Sequence, residues 1–359
     1  MNITIVGGGN VGTQFAVHCA AKGHKVTMFT SKPQLFSKRL CIVGENNETV
    51  MEAELFRITD EARVAYQDAE VVFVTVPSNC MERVAFEMLP HLKKRAKVGL
   101  VPGAGGGECY FVNHIENDGI VFGLQRVPAV ARLVQYGHCV RAIGYRSELH
   151  VASLPYREVD ECRRLVEDIF DIPCVALPNY LNITLTPSNP ILHTTRLRVI
   201  FKEYAPGKVY ECLPLFYEDW DNESSELLLK CDKEVQDICH SISEIDLRYV
   251  RSLSVHYEND TPEGLTKKIS GIAGFKGITT PGVKVEGGYL PDFQSRYFLA
   301  DFLYGMNIII QIGKLANVTI KSIEETYRWF LELCPNEKAF CYSDWGIDTY
   351  KKFLAFYLT

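Results

Sequence analysis

The sequence predicts an α/β domain followed by an all-helical domain. Three observations carry that reading. Over the first half, short apolar runs alternate with helical patterns, as the β-α-β units of a parallel sheet require. A stretch with three prolines and several Asn, Ser and Thr, residues 178–190, then breaks the pattern. Beyond it, apolar residues recur at helical spacing. The 359 residues exceed what one hydrophobic core usually organises, and the domains are read as 1–180 and 181–359.

The elements follow in order. Ile3-Thr4-Ile5-Val6 reads as a strand. After it come glycines and a helix with Val11, Phe15, Ala16, Cys19 and Ala20 on one face. Gly23 suits the left-handed cap that ends this helix, and residues 25–29 form a second strand. Residues 39–58 read as an antiparallel excursion that turns at Glu45-Asn46-Asn47-Glu48. Residues 71–76 are continuously apolar, as in a strand buried on both faces. Residues 81–89 are helical. Residues 97–101, 119–123 and 140–145 extend the sheet, and an amphipathic helix at 157–170 precedes a last short strand at 174–176. In the second half, Leu227, Leu228, Cys231, Val235, Ile238, Cys239 and Ile242 make a buried helical stripe. Residues 298–316 and 323–334 read the same way. The glycine-rich segment 271–288 is expected to be a long ordered loop.

Composition narrows the function. With 38 Lys plus Arg against 44 Asp plus Glu, the formal charge is −6, which argues against nucleic-acid binding through a basic face. No apolar run approaches the roughly 18 residues of a membrane span, and the start leaves no room for a signal peptide. The twelve cysteines include no C-x-x-C pair. They are read as small buried thiols of a reducing cytoplasm, with neither disulfide nor metal scaffold. A homodimer is the assembly left open.

Gly7-Gly8-Gly9-Asn10-Val11-Gly12 fits G-x-G-x-x-G between a strand and a helix. Gly7 permits the tight turn, Gly9 lets backbone approach a pyrophosphate, and Gly12 lets helix pack on strand. The anion sits on the helix N-terminus, beside Asn10 and Val11. The domain is therefore of Rossmann type. About twenty residues on, Thr30-Ser31-Lys32 stands where a carboxylate would bind a free ribose 2′-hydroxyl. Two hydroxyls and an ammonium suit a 2′-phosphate, so NADP(H) is favoured over NAD(H). Val76-Pro77 and the loop starting Pro102-Gly103 lie at carboxyl ends of parallel strands, where such sheets bind ligands. Gln125 and Arg126, after a further strand, are candidates for substrate or cofactor contact. Among nine histidines, His193 stands out by following Thr186-Pro187-Ser188-Asn189-Pro190 at the domain junction.

Taken together, these motifs resemble the opine dehydrogenase family (octopine and nopaline dehydrogenases and their bacterial relatives). The resemblance rests on Gly7-x-Gly9-x-x-Gly12, Val76-Pro77 and Pro102-Gly103-x-Gly105-Gly106. It continues in residues 185–193, ending Asn189-Pro190-Ile191-Leu192-His193, and in Arg296 to Asp301, and so runs from residue 1 to about 330. It implies reductive condensation: an amino acid and a 2-oxo acid form an imine, which NAD(P)H reduces. It implies His193 as catalytic acid/base, Asp301 as its carboxylate partner and Arg296 as the substrate-carboxylate clamp. Imidazole titrates near neutrality, a buried aspartate fixes its tautomer, and guanidinium pairs bidentately with a carboxylate.

Two details depart from the family. Ala300-Asp301-Phe302-Leu303 replaces its usual Glu-Asp-x-Pro, and Thr194 replaces the proline after the histidine. Five residues separate Arg296 from Asp301, about 140° on one continuous helix, so the two are expected to share a site only if the helix begins between them. Phe216-Tyr217-Glu218 resembles an aromatic–acidic element of the family, but ordinary helix packing is the preferred reading. Two alternatives stay open. A 2-oxo acid or 2-dehydropantoate-type reductase would need a lysine in the second domain, and none precedes Lys202 near His193. A non-catalytic NADPH sensor is the other.

Overall fold

Twelve strands build the first unit of the computed structural model, which describes residues 1–335 and 337–359. They are β1 Asn2–Val6, β2 Lys25–Phe29, β3 Arg39–Val43, β4 Thr49–Glu54, β5 Arg57–Thr59 and β6 Val71–Val74, then β7 Lys97–Leu100, β8 Ile120–Leu124, β9 Val130–Gln135, β10 Cys139–Ile143, β11 Leu149–Leu154 and β12 Cys174–Ala176. Eight form the main sheet, in the order β12-β11-β8-β7-β6-β1-β2-β5. Neighbours are parallel except β8 and β11. β1 sits inside the sheet with Val6 level with Phe29 and Val74, which sets the glycine loop at the carboxyl ends of three strands.

A second sheet, β4-β3-β10-β9, corrects one expectation. Residues 139–143 belong to it and not to the main sheet, whose next strand is β11. Alternation and apolarity identify a strand but not the sheet it joins. The helix Asn10–Ala21 packs against β1 and β2 and also against β3, β4, β9 and β10. Between two sheets it is buried continuously from Gly12 to Cys19, as a helix covered on both sides must be.

The units divide as residues 1–184 with 355–359, and 185–354. The expected boundary after residue 180 falls short of this, and the last five residues leave the second unit for the first. There Tyr357 Oη donates to Glu108 Oε1 at 2.7 Å, and the Tyr156 N–H donates to the Thr359 carbonyl at 3.0 Å.

The second unit is built around the helix Ser188–Ile200, buried over most of its length. It packs against Asn222–Ser241, Lys321–Leu333 and the helix Arg296–Leu315. Residues 178–190, read as the break between the two patterns, include the short helix Leu181–Thr184 and the start of Ser188–Ile200. The expected loop at 271–288 contains a hairpin strand, Gly282–Val285, paired with Gly288–Pro291. This unit is therefore helical with one two-stranded insertion. The helix Arg296–Leu315 has the length and apolarity of a membrane span, yet 78% of its most apolar 18-residue stretch is buried inside the protein; it is a core helix. The cysteines are less uniform than expected. Six are buried, five half-buried, and Cys212 is exposed.

Candidate active site

In the first unit the glycine loop has the shape a pyrophosphate needs. Gly7 turns at φ +102°, where a side chain would be strained. A Cβ on Gly12 would collide with the Gly7 carbonyl oxygen, whereas one on Gly9 would meet nothing within 4 Å. The space beside Gly9 is open, and no side chain caps the helix that follows, leaving its first N–H groups for an anion. These residues fit a dinucleotide. Thr75 Oγ1 donates to the carbonyls of Val6 at 2.8 Å and Gly7 at 3.2 Å, stitching the end of β6 to the loop.

The other expected cofactor residues have distinct settings. Asn10 Oδ1 accepts from the Leu133 N–H at 2.7 Å, tying the helix start to β9. Val11 packs against the core, so only its backbone can meet a ligand. Thr30 is buried, with the Lys32 N–H donating to its hydroxyl at 3.4 Å; Ser31 and Lys32 are exposed. Val76 comes up against Gly7 and Pro77 is exposed. Gly103 lies under Tyr180 and Ile183, so its missing side chain makes room for protein. Gln125 Nε2 donates to the Asn182 carbonyl at 3.3 Å.

In the second unit, His193, Asp301, Arg296 and Tyr217 come together. His193 lies on Ser188–Ile200, and Asp301 lies within Arg296–Leu315. His193 Nδ1 is 2.7 Å from Asp301 Oδ2, so the carboxylate accepts from Nδ1–H. His193 Nε2 is 2.7 Å from Tyr217 Oη. Burial pushes the imidazole below its ordinary pKa, while the Asp301 charge and hydrogen bond pull it back up and Arg296 lowers it further. The site thus favours a neutral ring without forbidding the charged one.

The geometry of Arg296 and Asp301 overturns an expectation. The helix begins at Arg296, after Ser295, and not between the two. It continues through a π-turn, Asp301–Met306, in which the Gly305 N–H donates to the Ala300 carbonyl at 3.0 Å. Such wide turns recur at functional sites. Asp301 reaches His193 from inside the helix. Arg296, on the first turn, is exposed, and its charge still acts on His193. Among the described residues no carboxylate pairs with Arg296; its guanidinium lies 4.8 Å from the Tyr297 ring centre.

Tyr217 corrects the packing reading. It sits in a turn rather than a helix, stacked on Phe275 at 4.2 Å and 21°. Arg196 holds that turn from one helical turn beyond His193. Its guanidinium donates to the carbonyls of Phe216 at 3.1 Å and Asp219 at 2.5 Å, and pairs with Asp221 at 2.7 Å. The family-like triplet Phe216-Tyr217-Glu218 was the available signal, set aside as ordinary packing; nothing in it points to a contact with His193.

Comparison with known proteins agrees with both units. Residues 176–334 match the alpha-helical domain of the NAD/NADP octopine/nopaline dehydrogenases, and residues 2–104 match the N-terminus of NAD-dependent glycerol-3-phosphate dehydrogenase. The chain is 24% identical to the octopine dehydrogenase of Pecten maximus over 361 aligned positions, covering 92% of this chain and 90% of that one. It is similar in fold to an octopine dehydrogenase solved with NADH and L-arginine, at a TM-score of 0.83 and 21% identity over 99% and 98% of the two chains. It is also similar to an NADP+-bound yersinopine dehydrogenase, at 0.69 and 12% over 99% of each. Residues 176–334 thus belong to the octopine/nopaline dehydrogenase alpha-helical domain family, and the sheet before them is an N-terminal dinucleotide-binding domain of the glycerol-3-phosphate dehydrogenase kind.

Proposed function

We propose that this oxidoreductase is an NADPH-preferring opine dehydrogenase that condenses the amine of an amino acid with a 2-oxo acid and reduces the resulting imine. The observation that carries this reading is the buried His193–Asp301 pair at 2.7 Å, with Arg296, which pairs with no carboxylate among the described residues, acting on it. Gly7, Gly9, Gly12 and the N–H groups of Asn10 and Val11 would hold the pyrophosphate, with Ser31 and Lys32 at the ribose 2′-phosphate. When bound, the cofactor supplies the hydride. Arg296 binds the 2-oxo acid carboxylate through its planar fork. The His193–Asp301 pair takes a proton from the incoming ammonium, freeing the nucleophilic amine, and returns it to the oxygen that leaves as water. Asp301 stabilises the imidazolium between those two events.

The test is NADPH consumption with pyruvate, with an amino acid mixture, and with both. Oxidation that requires both is the expected result. Oxidation with pyruvate alone marks a 2-oxo acid reductase, and none in any arm marks a nucleotide-binding protein without this activity.

A further inference from the structure

Both ring nitrogens of His193 end on protein atoms, Nδ1 on Asp301 and Nε2 on Tyr217, each at 2.7 Å. The residue is 2% exposed. An imidazole enclosed in this way has no nitrogen left for a substrate. Resting on the reading above, we infer that the Tyr217 hydroxyl is the group that exchanges the proton with substrate, with His193 as the proton reservoir behind it.

The hydrogen-bond directions support the relay. Asp301 accepts from Nδ1–H, so the neutral ring presents its lone pair at Nε2, and the Tyr217 O–H donates to it. The phenolic oxygen then keeps a lone pair for an incoming ammonium. As an N–H proton passes from the ammonium to Oη, the phenol's own proton passes to Nε2. The positive charge arrives on an imidazolium paired with Asp301, and the phenol stays neutral. After the amine adds to the carbonyl, the same two protons move back and make the alkoxide a hydroxyl, and that hydroxyl leaves as water as it takes a second proton from the adduct's nitrogen. The ammonium, minus that water's hydrogens, has become the iminium nitrogen, and no proton is gained or lost. Burial pushes the Tyr217 phenol far above its ordinary pKa, so the hydroxyl relays a proton and does not store charge. The titratable and charged groups that act on the pair are Asp301, Arg296, Tyr297 and Tyr257.

Tyr217 is also held still, as a relay atom must be. Phe275 stacks on its ring, Trp220 lies parallel at 6.3 Å, and Arg196 clamps the turn on either side. Phenylalanine keeps those stacks, which makes Tyr217→Phe a clean removal of one oxygen.

With NADPH, pyruvate and the amino acid that supports turnover, Tyr217→Phe should lower kcat about 10²- to 10⁴-fold, the range for loss of a general acid/base, with KM for NADPH unchanged. Combined with His193→Ala it should be no slower than His193→Ala alone. Wild-type kcat should vary with D₂O fraction as a curve, for two protons in flight, and the Tyr217→Phe rate as a line. Tyr145→Phe, which removes the phenol beside His18 in the first unit, should leave kcat unchanged. A Tyr217→Phe enzyme as fast as wild type overturns the relay, and so does a slow one whose wild-type parent already gives a straight line. Imidazole ¹⁵N titration without substrate separates this inference from the reading it rests on. Loss of the phenol donor removes a bond to the neutral ring and should raise the His193 pKa. If no substrate pair turns over, the opine reading fails, and an unmoved His193 titration overturns the relay by itself.

Discussion

His18 and His193 invite comparison, because each is a buried imidazole whose Nε2 meets a tyrosine hydroxyl. His18, in the first unit, lies 2.9 Å from Tyr145 Oη and against the Phe170 ring at 4.7 Å. Burial drives its pKa down to about 4, and Asp171 recovers only part of that, since the Asp171 carboxylate is bonded to Lys22 at 2.5 Å. His193 has a carboxylate on the ring itself. The difference teaches that burial and a phenol keep an imidazole neutral down to about pH 4, whereas a carboxylate in contact offsets part of the burial and favours the charged ring. One ring is core; the other can do acid/base work.

The sharpest break of this comparison is kinetic. His193→Ala and Asp301→Asn should each lower kcat about 10²- to 10⁴-fold, and the double variant should lose little more than the worse single one. His18→Gln should keep kcat near wild type. Equal losses at the two histidines, by steady-state kinetics, would erase the distinction drawn here.

Stability against pH comes next, and it should follow His18. Its folded pKa of about 4 lies below the ordinary 6.5, so the unfolded chain binds more protons as pH falls. Stability from this site is complete above about pH 6.5 and is lost progressively down to about pH 4, amounting to about 3 kcal/mol. His193 adds a loss of the same sign, since its pKa is also depressed. Denaturant titrations should find a flatter slope in His18→Gln over that window. An unchanged slope would mean that His18 is not held neutral.

Arg296→Lys tests the third group of the proposed site. Lysine keeps the charge and loses the fork, so KM for the 2-oxo acid should rise about tenfold or more while KM for NADPH holds. An unchanged KM for the acid would remove Arg296 from substrate binding.

The smallest effect belongs to the first unit. Ser31→Ala with Lys32→Ala should reduce the NADPH-over-NADH preference in kcat/KM by about tenfold. A preference that persists would detach those residues from the ribose.

Legibility in the sequence followed how local each feature is. The glycine loop lies within six residues and depends on backbone alone, so its tight turn and open approach could be read directly. The His193–Asp301 pair, 108 residues apart, was reachable only through resemblance to a family. The relation of Arg296 to Asp301 was misjudged by ideal helix arithmetic, which allows neither for a long side chain on the first turn nor for a π-turn. Tyr217 stood out only through that same resemblance and was read as packing, because a turn's side chains point where tertiary contacts, here those of Arg196, send them. The second sheet escaped for a similar reason: residues 139–141 pair with residues 41–43 at long range, and pattern reading assigns strands without assigning neighbours.

The return of residues 355–359 to the first unit sets an order on synthesis. A ribosome delivers Tyr357 only after every residue of the second unit has emerged. Until then Glu108 lacks one of its two hydrogen-bond donors, Thr184 being the other, and the Asn179 amide lacks the Tyr357 carbonyl that it reaches in the finished fold. The first unit begins folding first and finishes last. A nascent chain that stalls near its end therefore carries its defect 249 residues upstream of the missing tyrosine, in the unit made earliest.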